Sequence, residues 1–354
     1  MRKKLLAGVM ALALCSTNMP LQTIFAGEFT SGNLEEVSEE TPEIFSDDNQ
    51  EVIEETEEEL SVFSSENVPE FSSEVNIMSA TADETKPIGI DMNDITNLNY
   101  YDSSKGIWKI TSAGSYRFNG TGNNDAPILI DHIDSGTVKV YLNNVNIHSA
   151  DRTPPLRITN TVHADVYIYL ESSNLLQSTY INSAALQIDG TTKLIIDNSP
   201  GTNGSLTANS SKHGTGIGSS GNSDLSPAFH IIIKGGAVTA SSFRSMGIGG
   251  NNSNITIKGG LVKVSSDQWC AIGGTKSNIT IDGGSVKASS RTHFGIKSSS
   301  LTINGGSVTA SSEEEPKEDI SSNQIIINGG SVKASSVSSL PNKRPRGKGL
   351  LLYY

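Results

Sequence analysis

The stretches IIIKGGAVTASS (231–242), ITIKGGLVKVSS (255–266), ITIDGGSVKASS (279–290), LTINGGSVTASS (301–312) and IIINGGSVKASS (325–336) decide how the chain folds. Their glycine pairs begin at Gly235, Gly259, Gly283, Gly305 and Gly329, so the repeat advances by 24, 24, 22 and 24 residues. A period in this range, with one supersecondary unit per repeat, marks a solenoid whose units bury an apolar face only by stacking. Within one unit, Ile255 and Ile257 alternate with Thr256 and Lys258, the period of two of a strand with one buried face. Gly259-Gly260 permits a sharp corner. Val262 and Val264 then flank Lys263 in a second strand, Ser265-Ser266 turns again, and Ala271-Ile272-Gly273 supplies a third apolar stretch.

Three columns stay in phase. Ile233, Ile257, Ile281, Leu301 with its neighbour Ile303, and Ile327 fill one; Val238, Val262, Val286, Val308 and Val332 fill the second; Ile248, Ile272, Ile296 and Ile320 fill the third. Upstream, strand starts at Val138, Val166 and Leu194 are each 28 apart, and Ile231 resumes the phase after an insertion. Gly214 to Gly218 (GTGIG) reads as an early copy of the Gly247-Ile248-Gly249 corner. The pattern predicts an all-β fold, a parallel β-helix over residues 87–340 with about nine turns of 22–28 residues. At roughly 4.8 Å per turn that is a rod of about 40 Å. Leucine-rich repeats require a Leu/Asn framework that is missing here, and propeller blades are longer.

Outside the repeat the composition changes. Residues 1–26 read as a secretory signal, with Arg2, Lys3 and Lys4 before the apolar run Leu5 to Leu14, which is too short to span a bilayer, and a small-residue site at Ala26. Leu14 before Cys15 is too bulky for lipoprotein processing, so the processed chain keeps Cys270 as its single thiol and cannot rest on disulfides. Residues 27–86 read as a disordered acidic linker, since 28–85 hold 19 of the 38 acidic residues and no Lys or Arg. From residue 86 onward 23 basic residues oppose 19 acidic ones, a balance of +4, so the formal net charge of -12 belongs to the linker. The last segment, 341–354, reads as an irregular or truncated tail, and its basic Lys343, Arg344 and Arg346 have no aromatic interleaving that would signal nucleic acid. No transmembrane segment is expected after signal removal. The reading is of a secreted, extracellular protein, associated with the bacterial cell surface.

The segments KITSAGSYRFNGTG (109–122), VKVYLNNVNIHS (138–149) and LIIDNSPGTNGSLTANSSKHGTGIG (194–218) resemble the carbohydrate-binding-domain family of secreted bacterial parallel β-helix proteins, which opens on "aGtY.f.G" and continues with "V.l.LnnvnI" and "gtnsL" turns. The resemblance covers about 88–220; the later Gly-Gly repeats are shared more widely with bacterial surface β-solenoids. It implies a right-handed helix, polysaccharide of cellulose or pectin type as partner, and calcium as a bound ion.

The residues give their own reason to consider sugar. Lys139 and Tyr141 point outward on one turn, Tyr167 and Tyr169 on the next, and Asp197 continues the tyrosine column. Aromatic rings with a polar tip suit sugar rings rimmed by hydroxyls; the same residues also make a ladder that merely stabilises adjacent strands. For calcium, Asp131, Asn160 and Asp189 follow the apolar ends Ile130, Ile158 and Ile188 of successive turns, where stacked oxygens can hold a hard cation, although Asn and Asp are also ordinary corner residues. A lyase is the enzymatic alternative, because Arg152-Thr153-Pro154-Pro155-Leu156-Arg157 fits an R-x-P-x-x-R pattern and Ile130-Asp131-His132 an I-D-H element. These two elements are one turn apart, much closer than in pectate lyases, and no paired carboxylates for hydrolysis accompany them. The expectation is therefore a non-catalytic binder, with a structural adhesin stalk or surface-array module as the other reading. The GTGIG run has no helix after it and is a corner, not a phosphate loop.

Overall fold

The computed structural model describes residues 86–97, 99–120, 126–221, 228–314, 318–334, 337–338 and 350–353. The expected leader at 1–26, the acidic linker at 27–86 apart from Lys86, and the tail at 341–354 apart from Leu350–Tyr353 lie outside these residues. Every helix or strand element among the described residues is a strand.

The strands form three ladders that run along one rod. The first begins at Ile88–Asp91, pairs in parallel with Gly114–Asn119 and then Thr137–Asn143, and continues through Asp165–Leu170 and Lys193–Asn198. Beyond them come His230–Ile233, Asn254–Ile257 and Asn278–Ile281. The second starts at Ile107–Ile110 and passes through Ile128–Ile130, Leu156–Ile158 and Leu186–Ile188. It then narrows to the two-residue strands Ile217–Gly218, Ile248–Gly249 and Ile272–Gly273. In the last turns the strands Ile296–Ile303 and Ile320–Ile327 run through the corner and join these two ladders, so that with the short strands Tyr101–Asp102 and Val337–Ser338 they count as one sheet of 19 strands. The third ladder, of nine strands, runs from Asn146–Ser149 to Ser331–Ala334 and ends on the antiparallel strand Leu350–Tyr353.

All three predicted columns are in register: Ile233 meets Ile257, Ile281 and Ile303; Val238 meets Val262, Val286 and Val308; Ile248 meets Ile272 and Ile296. Ile303, not Leu301, continues the first column, and Leu301 lies beside Ile279. The predicted early corner also holds, with Ile217 and Gly218 against Ile248 and Gly249. The rod has about ten turns, not about nine. The difference is Ile88–Asp91, whose four residues bury only Ile90 and carry too little alternation to read.

Each turn sends its alternate residues into a shared apolar interior, and Val138, Val140, Leu142, Val166, Ile168 and Leu170 are fully buried. Among the described residues the first two turns show no third strand. Large rings fill that end: Trp108, Tyr116 and Phe118 are buried, with Tyr101 4.8 Å from Trp108 and Phe118 edge-on to Trp108 at 6.4 Å. The two glycines of each corner serve different needs. The first, such as Gly283, has a normal backbone, but a Cβ there would approach the Lys258 carbonyl to 2.7 Å. The second, Gly284, has φ +82°, and its Cβ would come 2.7 Å from the Gly260 carbonyl. Corner stacked on corner leaves room only for glycine.

Candidate functional site

The outward residues of the first ladder form the expected face. In register, Arg117, Tyr141, Tyr169 and Asp197 make one row, and Ser115, Lys139, Tyr167 and Ile195 the row beside it. Strand alternation puts them outside while their neighbours Val140, Ile168 and Ile196 are buried. The five residues expected to bind sugar, Lys139, Tyr141, Tyr167, Tyr169 and Asp197, thus share one face over three turns.

The rings are arranged differently from a flat platform. Tyr141 and Tyr169 have centroids 4.9 Å apart and planes 21° apart, so their faces overlap along the rod. That separation is close to the spacing of the strands that carry them. Tyr167 and Tyr169 are near-parallel at 5.9 Å. Cations take the ends: the Arg117 guanidinium stands 5.4 Å over Tyr141, and the Lys234 ammonium 5.7 Å over Tyr167. Lys234 lies two turns beyond Tyr167 and reaches back across the turn of Ile195, an outward residue only 1% exposed. What such a stack presents outward is ring edges and phenol oxygens, bordered by positive charge.

The charges on this face divide into paired and unpaired groups. Arg117 meets Glu171 at 2.9 Å, and Lys193 meets Asp165 at 2.5 Å. The hydrogen bond to Asp165 holds the Lys193 ammonium above its ordinary range. Among the described residues Lys139 and Lys234 pair with no carboxylate. Arg117, Glu171, Lys234 and Ile195 were not singled out from sequence. Arg117 lies 24 residues before Tyr141, a turn's length, and that spacing is the signal that marks it.

The proposed calcium corner is built of ion pairs. Asp131 and Asp189 lie in one column with Thr159 between them, and Asn160 is exposed and one residue off that column. Two strand spacings put the two carboxylates roughly 9–10 Å apart, whereas calcium needs its oxygens at about 2.3–2.6 Å. Asp131 Oδ1 accepts from the Thr159 and Thr161 hydroxyls at 2.8 and 2.9 Å, and Oδ2 lies 2.7 Å from His132 Nδ1 and 3.6 Å from Lys109 Nζ. Burial pushes this carboxyl up, but the hydroxyl bonds and His132 outweigh it and hold its pKa at about 2. Asp189 accepts from Arg157 Nε at 2.6 Å and Gln187 Nε2 at 2.7 Å. These residues do not fit a hard cation, because protein donors, three of them cationic or titratable to cations, already occupy the oxygens.

The residues of the lyase-like pattern also have partners within the protein. Arg157 is held by Asp189, Arg152 Nε donates to Tyr180 Oη at 3.1 Å, and His132, at φ 54°, leans on Asp131. Cys270 is fully buried, and burial pushes its thiol up to about 12. No described helix is long and apolar enough to cross a membrane.

Residues 104–191 match the model of a family described as carbohydrate-binding domain-containing protein, and residues 231–252 and 301–312 match that of a β-helix repeat. No curated protein and no solved structure matches the chain. The tyrosine face, Arg117 to Tyr169, falls inside the first match. The chain is a β-helix whose early turns carry the pattern of the carbohydrate-binding-domain family and whose later turns carry the β-helix repeat.

Proposed function

We propose that this chain is a secreted or cell-surface protein that binds polysaccharide of cellulose or pectin type without cleaving it, through the face of Lys139, Tyr141, Tyr167, Tyr169 and Asp197. The observation that carries the proposal is the stack of three tyrosines over two turns, inside the region matching the carbohydrate-binding-domain family, with Lys139 and Lys234 beside it and without carboxylate partners among the described residues. Phenol oxygens and ammonium groups in a row suit a chain bearing hydroxyls and carboxylates, and at low salt the lysines strengthen the hold on a pectin-like polyanion. This reading gives calcium no role at the corner of Asp131 and Asp189, whose carboxylates are paired with Lys109 and Arg157.

A structural stalk is the second reading, favoured by the ring overlap itself. Tyr141 and Tyr169 are direct cross-strand neighbours, and such pairs stabilise a sheet without any ligand. Affinity electrophoresis separates the two. Retardation in polygalacturonate gels that is lost in Tyr141→Ala/Tyr169→Ala, and weakened with reduced salt sensitivity in Lys139→Gln/Lys234→Gln, supports the binder. Absence of retardation on polygalacturonate and on cellulose derivatives leaves the stalk.

A further inference from the structure

A second surface lies on the third ladder, away from the tyrosine face. An open groove of about 490 Å³ runs along the rod where this ladder turns towards the second. Its floor includes Asn209, Ser241, Ser265 and Ser289, which are consecutive in register. Its wall is the next position of each turn, Ser211, Phe243, Asp267, Arg291 and Glu313, whose backbone amides keep the ladder's bonding to the turn before at 3.0–3.1 Å. Five turns at about 4.8 Å spacing make a track roughly 19 Å long.

The two serines of each repeat divide the work. The second faces inward and stitches the corner: Ser242, Ser266 and Ser290 donate to the carbonyls of Gly214, Ser245 and Trp269 at 2.8, 2.6 and 2.6 Å. The first faces out into the groove. Ser241 donates to Asn209 at 2.8 Å, while the Ser265 and Ser289 hydroxyls make no side-chain bond among the described residues. Small hydroxyls alone would make only a smooth corner. Two further observations make this a groove. Phe243 breaks a polar column with a ring that is 42% exposed, and the Arg244 guanidinium 5.6 Å from its centroid fixes it on one side. Opposite charges brace the wall, with Arg291 bonded to Asp267 at 2.5 and 3.1 Å and to Glu314 at 2.5 Å.

The electrostatics select the ligand. Arg291, the one cation in the lining, is committed to two carboxylates, Glu313 adds another negative charge, and with Arg244 beside Phe243 counted the balance of these groups is still negative. An acidic polymer would meet repulsion there. A neutral, hydroxyl-rich chain would find carboxylate acceptors along the wall, hydroxyls that both donate and accept along the floor, and an exposed ring for an apolar sugar face.

We infer that this groove is a second glycan site, which takes a neutral polysaccharide chain laid along the rod, separate from the tyrosine face and opposite to it in charge preference. The choice of a sugar rests on the carbohydrate-binding reading above; the groove's geometry does not. The full-length chain is run in native gels containing hydroxyethyl cellulose, polygalacturonate or no polymer. Three variants run beside it: Phe243→Ala, Ser265→Gln/Ser289→Gln to fill the floor, and Tyr141→Ala/Tyr169→Ala. Melting curves confirm that each is folded. The expected result is retardation by hydroxyethyl cellulose that both groove variants weaken markedly and that persists in the tyrosine variant. No retardation by hydroxyethyl cellulose, or retardation that both folded groove variants retain, overturns the second site. Retardation by polygalacturonate, lost only in the tyrosine variant, reports on the tyrosine face separately, so either site can fail without the other.

Discussion

Asp131 shows how one residue trades an expected ligand role for a structural one. It is 9% exposed and satisfied on both oxygens by Thr159, Thr161 and His132. Its folded pKa of about 2 lies below the ordinary 3.8. A depressed carboxylate contributes stability that is fully present above its unfolded pKa and disappears as pH falls through the folded one. The shift corresponds to about 2 kcal/mol, lost between about pH 4 and pH 2. Asp131→Asn is therefore expected to lower stability at neutral pH by about that amount and to flatten the acid limb of the curve in that window. Urea titrations of both proteins at several pH values check this, and parallel curves would count against it. The sequence located Asp131 and Asp189 but not their partners, because ion pairing across turns depends on register: Arg157 reaches Asp189 from 32 residues away.

At the level of elements, the corner decides stability. Gly284 combines φ +82° with a would-be Cβ contact of 2.7 Å to a backbone carbonyl, while Gly201 has φ +77° and nothing within 4 Å. Gly201→Ala should cost about 1–2 kcal/mol, from left-handed backbone strain alone. Gly284→Ala adds displacement of the turn below and should cost clearly more, on the order of 3 kcal/mol or beyond. Chemical denaturation of the two variants gives the comparison, and equal losses would refute the stacked-corner account. The corners and the three columns were legible because 24-residue spacing repeats the same letters. The first turns were not. Ile88–Asp91 is short, no third strand occurs there among the described residues, and Trp108, Tyr116 and Phe118 supply volume in place of a pattern.

For the rod as a whole, sequence identified which face carries the tyrosines but not how the rings lie. Alternation sets inside from outside; it does not set the torsions that bring Tyr141 and Tyr169 to 4.9 Å or lay Arg117 and Lys234 over the ends of the stack. Phe243 was missed for the opposite reason. A single aromatic in a run of serines has no period, and only the groove around it shows its place. With the carboxylates of Asp131 and Asp189 committed to Lys109, Arg157 and hydroxyl donors, this corner should not depend on calcium. Melting temperatures with added calcium and with chelator should coincide, and a stabilisation that saturates with calcium would show a site elsewhere or a rearranged corner.

The most direct test of the central claim is the binding isotherm of the full-length chain with soluble polygalacturonate, set against that of Tyr141→Ala/Tyr169→Ala. Saturable binding to the unaltered chain is expected, with a loss of affinity of about tenfold or more in the variant, equivalent to about 1.4 kcal/mol, and with the fold retained. Equal affinity in two folded proteins would contradict it and return the tyrosines to the role of a ladder between strands.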